Sequence, residues 1–226
     1  MNYKLLKGGH LPDRKCREIL ELFCDDLTAT QIADISGVSR VTVNNYFRII
    51  RSAIASFCEA GLYTGQQSPV FNNGVTCGTG NNPAAFYGFC LNKGKVSTDW
   101  LRSISLTAIE QLHNGHGAKN GGSVTGFEAY HAVADCNNWH LYWLDGNKEV
   151  SSMVVNALPE ITGFWKHTKS RLQKFRGMNK NTLYLHIKEC EFRYNFRNDD
   201  MLIALTDIIN ARRHSTNKVN ENPVLV

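Results

Sequence analysis

The chain lacks any run of about 18 apolar residues, so no segment is expected to span a membrane. Its opening, Met1-Asn-Tyr-Lys-Leu-Leu-Lys-Gly-Gly9, has no apolar core of secretory-signal length, and a cytoplasmic protein is expected. The seven cysteines (Cys16, Cys24, Cys58, Cys77, Cys90, Cys136 and Cys190) are odd in number and scattered, and none forms a C-x-x-C pair. That argues against a disulfide framework and against a zinc ribbon, and fits free thiols in a reducing compartment. Cys136 and His140 can share a helical face, but two further metal ligands are missing. No G-x-G-x-x-G, P-loop or nucleophile elbow occurs, which leaves a small-molecule enzyme with little support. His113-Asn-Gly-His116 reads as a turn in a glycine-rich loop. There is no internal repeat. Acid is also locally scarce: none stands between Glu59 and Asp99, and none between Glu160 and Glu189.

What is present is ordinary globular composition. The 226 residues are 42% hydrophobic, and the mean hydropathy is −0.30. This is enough chain for one large domain, or a small one and a larger one. The net charge of +5 is mild, so any nucleic-acid footprint must be a local patch.

The first sixty residues read as a helix-turn-helix. Residues 13–23 place Cys16, Ile19, Leu20, Leu22 and Phe23 among charges, an amphipathic helix with Asp13 as its expected cap. After the acidic break at Cys24-Asp-Asp-Leu-Thr28 comes Thr30-Gln-Ile-Ala-Asp-Ile-Ser-Gly-Val-Ser-Arg-Val-Thr-Val-Asn-Asn-Tyr-Phe-Arg48. Ala33 is small where two helices cross. Gly37 permits the left-handed conformation of a sharp turn, and Ser39 caps the next helix. Ile32, Val38, Val43 and Tyr46 form the shared core. The other face presents Arg40, Val41, Asn44, Asn45 and Arg48, which a recognition helix would insert into a major groove. Arg pairs bidentately with guanine and Asn with adenine, while Thr42 can reach phosphate. The alternative is a helical hairpin whose polar face meets only water. The helix is expected to continue through Ile49, Ile50, Ala53 and Ile54 toward Phe57. That apolar tail would pack on the next domain or on a second copy.

Residues 59–83 read as linker with one strand at 68–72. Residues 84–91 and 95–99 form a hairpin about Asn92-Lys-Gly94, and 101–113 have helical spacing. Residues 121–126 form a short strand, 130–134 a helical turn and 139–144 a further strand. Pro159 suits the first turn of a helix reaching about Lys174. Helices over 182–194 and 199–211 follow, and the residues from His214 read as a flexible polar tail. The expected architecture is α/β: an N-terminal helix-turn-helix over 1–58, then a ribonuclease-H-like mixed α/β core with C-terminal helices over 84–213.

The 161–176 helix carries an apolar stripe (Phe164, Trp165, Leu172, Phe175) beside a cationic face of Lys169, Arg171, Lys174 and Arg176. A cationic helix beside a core can grip phosphates. The plainer reading is a solvated helix face.

Several segments together resemble Merlin-type (ISXO-like) bacterial insertion-sequence transposases, which use a DDE catalytic core. They are the helix-turn-helix, Phe86-Tyr-Gly-Phe-Cys-Leu-Asn-Lys-Gly-Lys-Val96, Ala129-Tyr-His-Ala-Val133, and Trp139-His-Leu-Tyr-Trp-Leu-Asp-Gly-Asn-Lys148. Gly163-Phe-Trp-Lys-His-Thr-Lys169 and Glu189-Cys-Glu-Phe-Arg-Tyr-Asn195 are the most characteristic. The resemblance implies a ribonuclease-H-like core, double-stranded DNA with terminal inverted repeats as partner, and a homo-oligomer. It places the three catalytic carboxylates at Asn72, Thr125 and Thr162, all neutral here. Asn and Thr oxygens hold Mg²⁺ weakly and cannot offset the repulsion of two dications and a phosphate. A catalytically inactive DNA-binding protein with no cofactor is therefore expected. Arg40, Thr42, Asn44, Asn45 and Arg48 would read bases or phosphate. Lys166, Lys169, Arg171, Lys174 and Arg176 would hold the backbone. The alternatives are an active Mg²⁺-dependent transposase using displaced acids (Asp99, Glu128, Asp135, Asp145 or Glu160), and a non-enzymatic oligomerising scaffold.

Overall fold

The computed structural model describes residues 11–61, 86–101, 104, 106–113, 130–144, 158–173 and 180–220. Their elements, in chain order, are α1 (Asp13–Cys24), α2 (Ala29–Ser36), α3 (Arg40–Glu59), β1 (Phe86–Asn92), β2 (Lys95–Trp100), α4 (Leu106–His113), β3 (Ala132–Asp135), β4 (His140–Trp143), α5 (Pro159–Leu172), α6 (Lys180–Asn195) and α7 (Met201–Asn220). This is a mixed helix-and-sheet chain. It divides into two compact units, residues 1–57 with 196–226, and residues 58–195.

The first unit is helical. In α1, Cys16, Ile19, Leu20 and Phe23 repeat at helical spacing and all are buried. Asp13 is not the cap. Pro12 occupies that position in extended conformation, and Asp13 is the first helical residue, with no side-chain cap bond. Its carboxylate still sits at the positive end of the helix dipole. Thr28 and Gln31 form a capping box at the start of α2, and Gly37 ends that helix at φ 69. Ser39 Oγ then accepts from Thr42 N at 3.2 Å and starts α3. Ile32, Val38, Val43 and Tyr46 are all buried. Phe23 and Phe47 meet edge to face at 5.1 Å. The apolar run Ile50, Ala53 and Ile54 is buried as well. The C-terminal helix α7 falls in this unit and not with the sheet, and α1 packs against it. It runs to Asn220, so residues 214–220, expected as a flexible tail, are helical.

The second unit is built on a sheet of order β2-β1-β3-β4 with every pairing antiparallel. Lys93 (φ 48) and Gly94 (φ 75) make the tight turn between β1 and β2, both in the left-handed region that such hairpins require. Residues 132–135 form β3 where a helical turn was expected. Ala132, Val133 and Ala134 are fully buried between β1 and β4. A short apolar run of this kind cannot be assigned to helix or strand by period alone. Both sides of β1 are taken by β2 and β3. The strand expected at 68–72 lies outside the described residues.

Alternation along β1 separates two apolar layers. Tyr87 and Phe89 join Val96, Ala132 and Ala134 against Ile161, Phe164 and Leu172 of α5 and Leu183, Ile187 and Cys190 of α6. Phe86 and Val133 face Tyr130, Leu101, Ile104 and Ile109 on the other side. Between them Gly88 lets the Tyr130 ring lie flat on the strand; a Cβ there would stand 2.6 Å from Tyr130 Cδ1.

Among the described residues no strand lies beside the outer edge of β2, and side chains of α6 fill that place. Asn195 Oδ1 accepts from Val96 N at 2.9 Å, and its Nδ2 donates to Val96 O at 2.7 Å. Glu191 Oε2 accepts from Thr98 N at 3.0 Å and from Thr98 Oγ1 at 2.5 Å. Lys188 Nζ donates to Thr98 O at 2.5 Å and to Glu191 Oε2 at 3.0 Å.

Glu191→Ala would leave the Lys188 ammonium buried without its carboxylate. A loss of about 3–5 kcal/mol in urea unfolding is expected. Gly88→Ala should cost about 1–3 kcal/mol by overpacking. Added to Tyr130→Ala it should cost little more, because the ring it strikes is gone; a double-mutant cycle reads this coupling.

Candidate nucleic-acid interface

The α2–α3 segment of the first unit presents one polar stripe. Arg40, Val41, Asn44, Asn45 and Arg48 are all exposed on α3, while Val43, Tyr46, Phe47 and Ile50 turn inward. Thr42 is half-buried, and its hydroxyl shares a hydrogen bond with Ser39 Oγ at 2.9 Å. Thr42 is thus part of the cap, and its hydroxyl keeps two hydrogen-bonding sites for other partners. The turn is braced from α1. Lys15 Nζ donates to Ser36 O at 2.7 Å, at the C-terminus of α2, and pairs with Glu18 at 2.8 Å. A cation at the negative end of a helix is favourable, and this one ties α1 to the turn. The Tyr46 hydroxyl meets Cys16 Sγ at 3.2 Å, and burial pushes its pKa well above the ordinary phenol value. This polar face of α3 is therefore exposed on a scaffold held from behind by apolar packing and two polar ties.

The basic face expected on α5 divides. Lys166 is exposed. Lys169 is half-buried, with its Nζ 3.4 Å from the Trp139 carbonyl oxygen it donates to. Arg171 does not face solvent and cannot be the phosphate contact expected of it. It is 3% exposed. Its guanidinium donates to Glu189 Oε1 at 2.6 Å and lies 3.7 Å from Cys190 Sγ. Glu189 also accepts from Arg193 Nε at 2.9 Å, so one fully buried carboxylate serves two arginines. The reason is helical period: Ile161, Phe164, Thr168 and Arg171 recur at i, i+3 and i+4 spacing and share the inward face. Lys174, Phe175 and Arg176 lie outside the described residues.

Of the positions that the transposase resemblance assigns to catalysis, Thr162 stands on the exposed face of α5. Asn72 and Thr125 lie outside the described residues, as do Glu128 and Asp145. Among the displaced acids, Asp99 accepts from the Tyr130 hydroxyl at 3.0 Å. Burial first, and then the Asp99 charge, hold that phenol far above its usual range. Asp135 is buried and accepts from Asn137 N, Asn138 N and Asn138 Nδ2 at 2.8, 3.1 and 2.8 Å. That bond set makes Asp135 the organiser of the β3–β4 turn. Glu160 is half-buried in the first turn of α5. Among the described residues no three His, Cys, Asp or Glu side chains gather as a metal site would require.

The residues that reasoning on the sequence missed are Lys188, Glu191 and Asn195. Burial alone would pull the Lys188 ammonium down, but the anionic groups around it, the Glu191 carboxylate foremost, together offset this and keep its pKa above the ordinary lysine value. One signal for them was available. Leu183, Ile187 and Cys190 make one face of α6 apolar and Phe192 lies on the opposite side, and a helix apolar on both sides encloses its charges.

No family model matches this chain, and no solved structure matches it. Over 40 residues it is 48% identical to an uncharacterized transposase-like protein of Haemophilus influenzae. That stretch is 18% of this chain and 32% of the relative, so the match spans about a third of the relative's length. The similarity supports a relationship to transposases. Among the described residues no helix is long and apolar enough to cross a membrane.

The split of the basic face is open to a stability measurement. Lys166→Ala should leave unfolding free energy within about 0.5 kcal/mol of the parent. Arg171→Ala should cost about 3 kcal/mol, the low end for a broken buried pair because Arg193 still faces Glu189.

Proposed function

We propose that this chain is a transposase-related DNA-binding protein without strand-transfer activity. It would recognise duplex DNA of the terminal-inverted-repeat kind through the exposed face of α3. The observation that carries the reading is the coincidence of the α2 capping box, the left-handed Gly37, the Ser39 cap and the exposed stripe Arg40, Asn44, Asn45 and Arg48. A helix presented this way enters a major groove with its N-terminal residues toward base edges. The two asparagines suit adenine and the two arginines suit guanine or phosphate. Lys166, Lys169, Lys174 and Arg176 would add backbone contacts, which position the protein without reading sequence. Such a protein would act in the cytoplasm at the nucleoid. Paired terminal repeats would suit a homo-oligomer.

Loss of cleavage chemistry rests on the neutral residues at Asn72, Thr125 and Thr162, which supply no anionic oxygen for Mg²⁺. A ribonuclease-H-type ancestry for the second unit rests on the order of its elements: a hairpin, a helix, further strands, then two helices. It does not rest on strand order, since every described pairing is antiparallel.

The test is a binding titration by anisotropy with duplexes carrying terminal repeats of transposase-like elements, and nicking assayed in Mg²⁺ and Mn²⁺. Binding without nicking is expected. Affinity should fall linearly with salt on logarithmic axes. The combined variant Arg40→Ala/Asn44→Ala/Arg48→Ala should lose at least about tenfold, since each good base contact is worth about 1–3 kcal/mol. Association that ignores salt would point to an apolar scaffold. Metal-dependent 3′-end cleavage would overturn the inactive reading.

A further inference from the structure

Val41 is 72% exposed, the most exposed large apolar side chain among the described residues. It is not at the edge of the polar stripe but within it. Residues 41, 44, 45 and 48 stand at i, i+3, i+4 and i+7, so Val41 lies on one helical face with Asn44, Asn45 and Arg48. It is also the second residue of α3, in the first turn, the part of a recognition helix that comes nearest to base edges. Water is a poor environment for a bare isopropyl group, and the polar neighbours on this face do not cover it.

Resting on the DNA-binding reading above, we propose that Val41 is a specificity-determining residue that packs on the 5-methyl group of a thymine. In the major groove that methyl is the one apolar group any base pair presents. A β-branched side chain in a helix is held largely in one rotamer, so Val41 offers its methyls in a fixed direction with little conformational freedom to lose. The asparagines one turn along carry the amide geometry that matches adenine. The face as a whole is chemically suited to a site containing A·T pairs, with the thymine methyl contacted by Val41. The Val41 side chain lies outside the core, so truncating it leaves the fold intact.

The test uses the full chain. A random duplex pool is selected for binding, and the best-bound duplex is resynthesised with deoxyuridine in place of each thymine in turn. This removes one methyl and no hydrogen-bonding group. Wild-type protein should lose about fourfold in affinity at one thymine, the value of burying a single methyl-sized group. Val41→Ala should bind the parent duplex correspondingly more weakly and be indifferent to uracil at that position. Equal sensitivity of wild type and Val41→Ala to every uracil would overturn this inference while leaving DNA binding standing. So would indifference of the wild type to all of them. Failure of the wild-type chain to enrich any duplex would overturn the DNA-binding reading and this one together.

Discussion

The second unit depends on how the open edge of β2 is closed. An edge strand exposes N–H and C=O groups at alternate residues, and these must find partners if they are buried. Here α6 supplies them from side chains. Val96 and Thr98 are two residues apart, about 6.6 Å along a strand. Asn195 and Glu191 are four residues apart, about 6 Å along a helix. The two repeats match, so a helix running against the strand can satisfy both positions in turn. Lys188, one turn further along, reaches the Thr98 carbonyl and neutralises Glu191. Nothing apolar could replace this set without stranding backbone groups, which explains why a helix packed on the core contains Lys, Glu and Asn.

The same logic redirects the positive charge. A chain with net charge +5 and acid-free stretches suggests a broad cationic surface. Yet Arg171, Arg193 and Lys188 are buried and matched to Glu189 and Glu191. Buried pairs of this kind are costly to break and contribute modestly to net stability. The Arg171–Glu189 pair ties α5 to α6, and Lys188 and Glu191 tie α6 to Thr98 of β2. The cations described as exposed on the candidate interface are then few: Arg40 and Arg48 on α3 and Lys166 on α5. The exposed polar stripe lies in the helical unit, and the Lys188-Glu-Cys-Glu191 stretch is architectural.

Legibility followed the range of the interactions. The turn at Gly37, the Ser39 cap and the buried set Ile32, Val38, Val43 and Tyr46 could be read because each depends on neighbours within about one or two turns. The Asn92-Lys-Gly94 hairpin was readable for the same reason. The β3 strand was not, because Ala132–Ala134 becomes a strand only by lying between β1 and β4. Asp13 looked like a cap, but Pro12 takes that place and leaves Asp13 as the first helical residue. Arg171 looked like part of a cationic face because its partner, Glu189, lies 18 residues away on another helix.

The sequence by itself determined the α2 and α3 helices with the turn between them, the tight hairpin and the residue types that an exposed α3 face would carry, because short-range dihedral preferences and hydrophobic period settle those. Only the tertiary structure decided which charges are surface and which are core, the all-antiparallel strand order, and the placing of α7 with the N-terminal helices. Those outcomes depend on pairings between distant segments, where a buried carboxylate must find its cation and an open strand edge its hydrogen bonds.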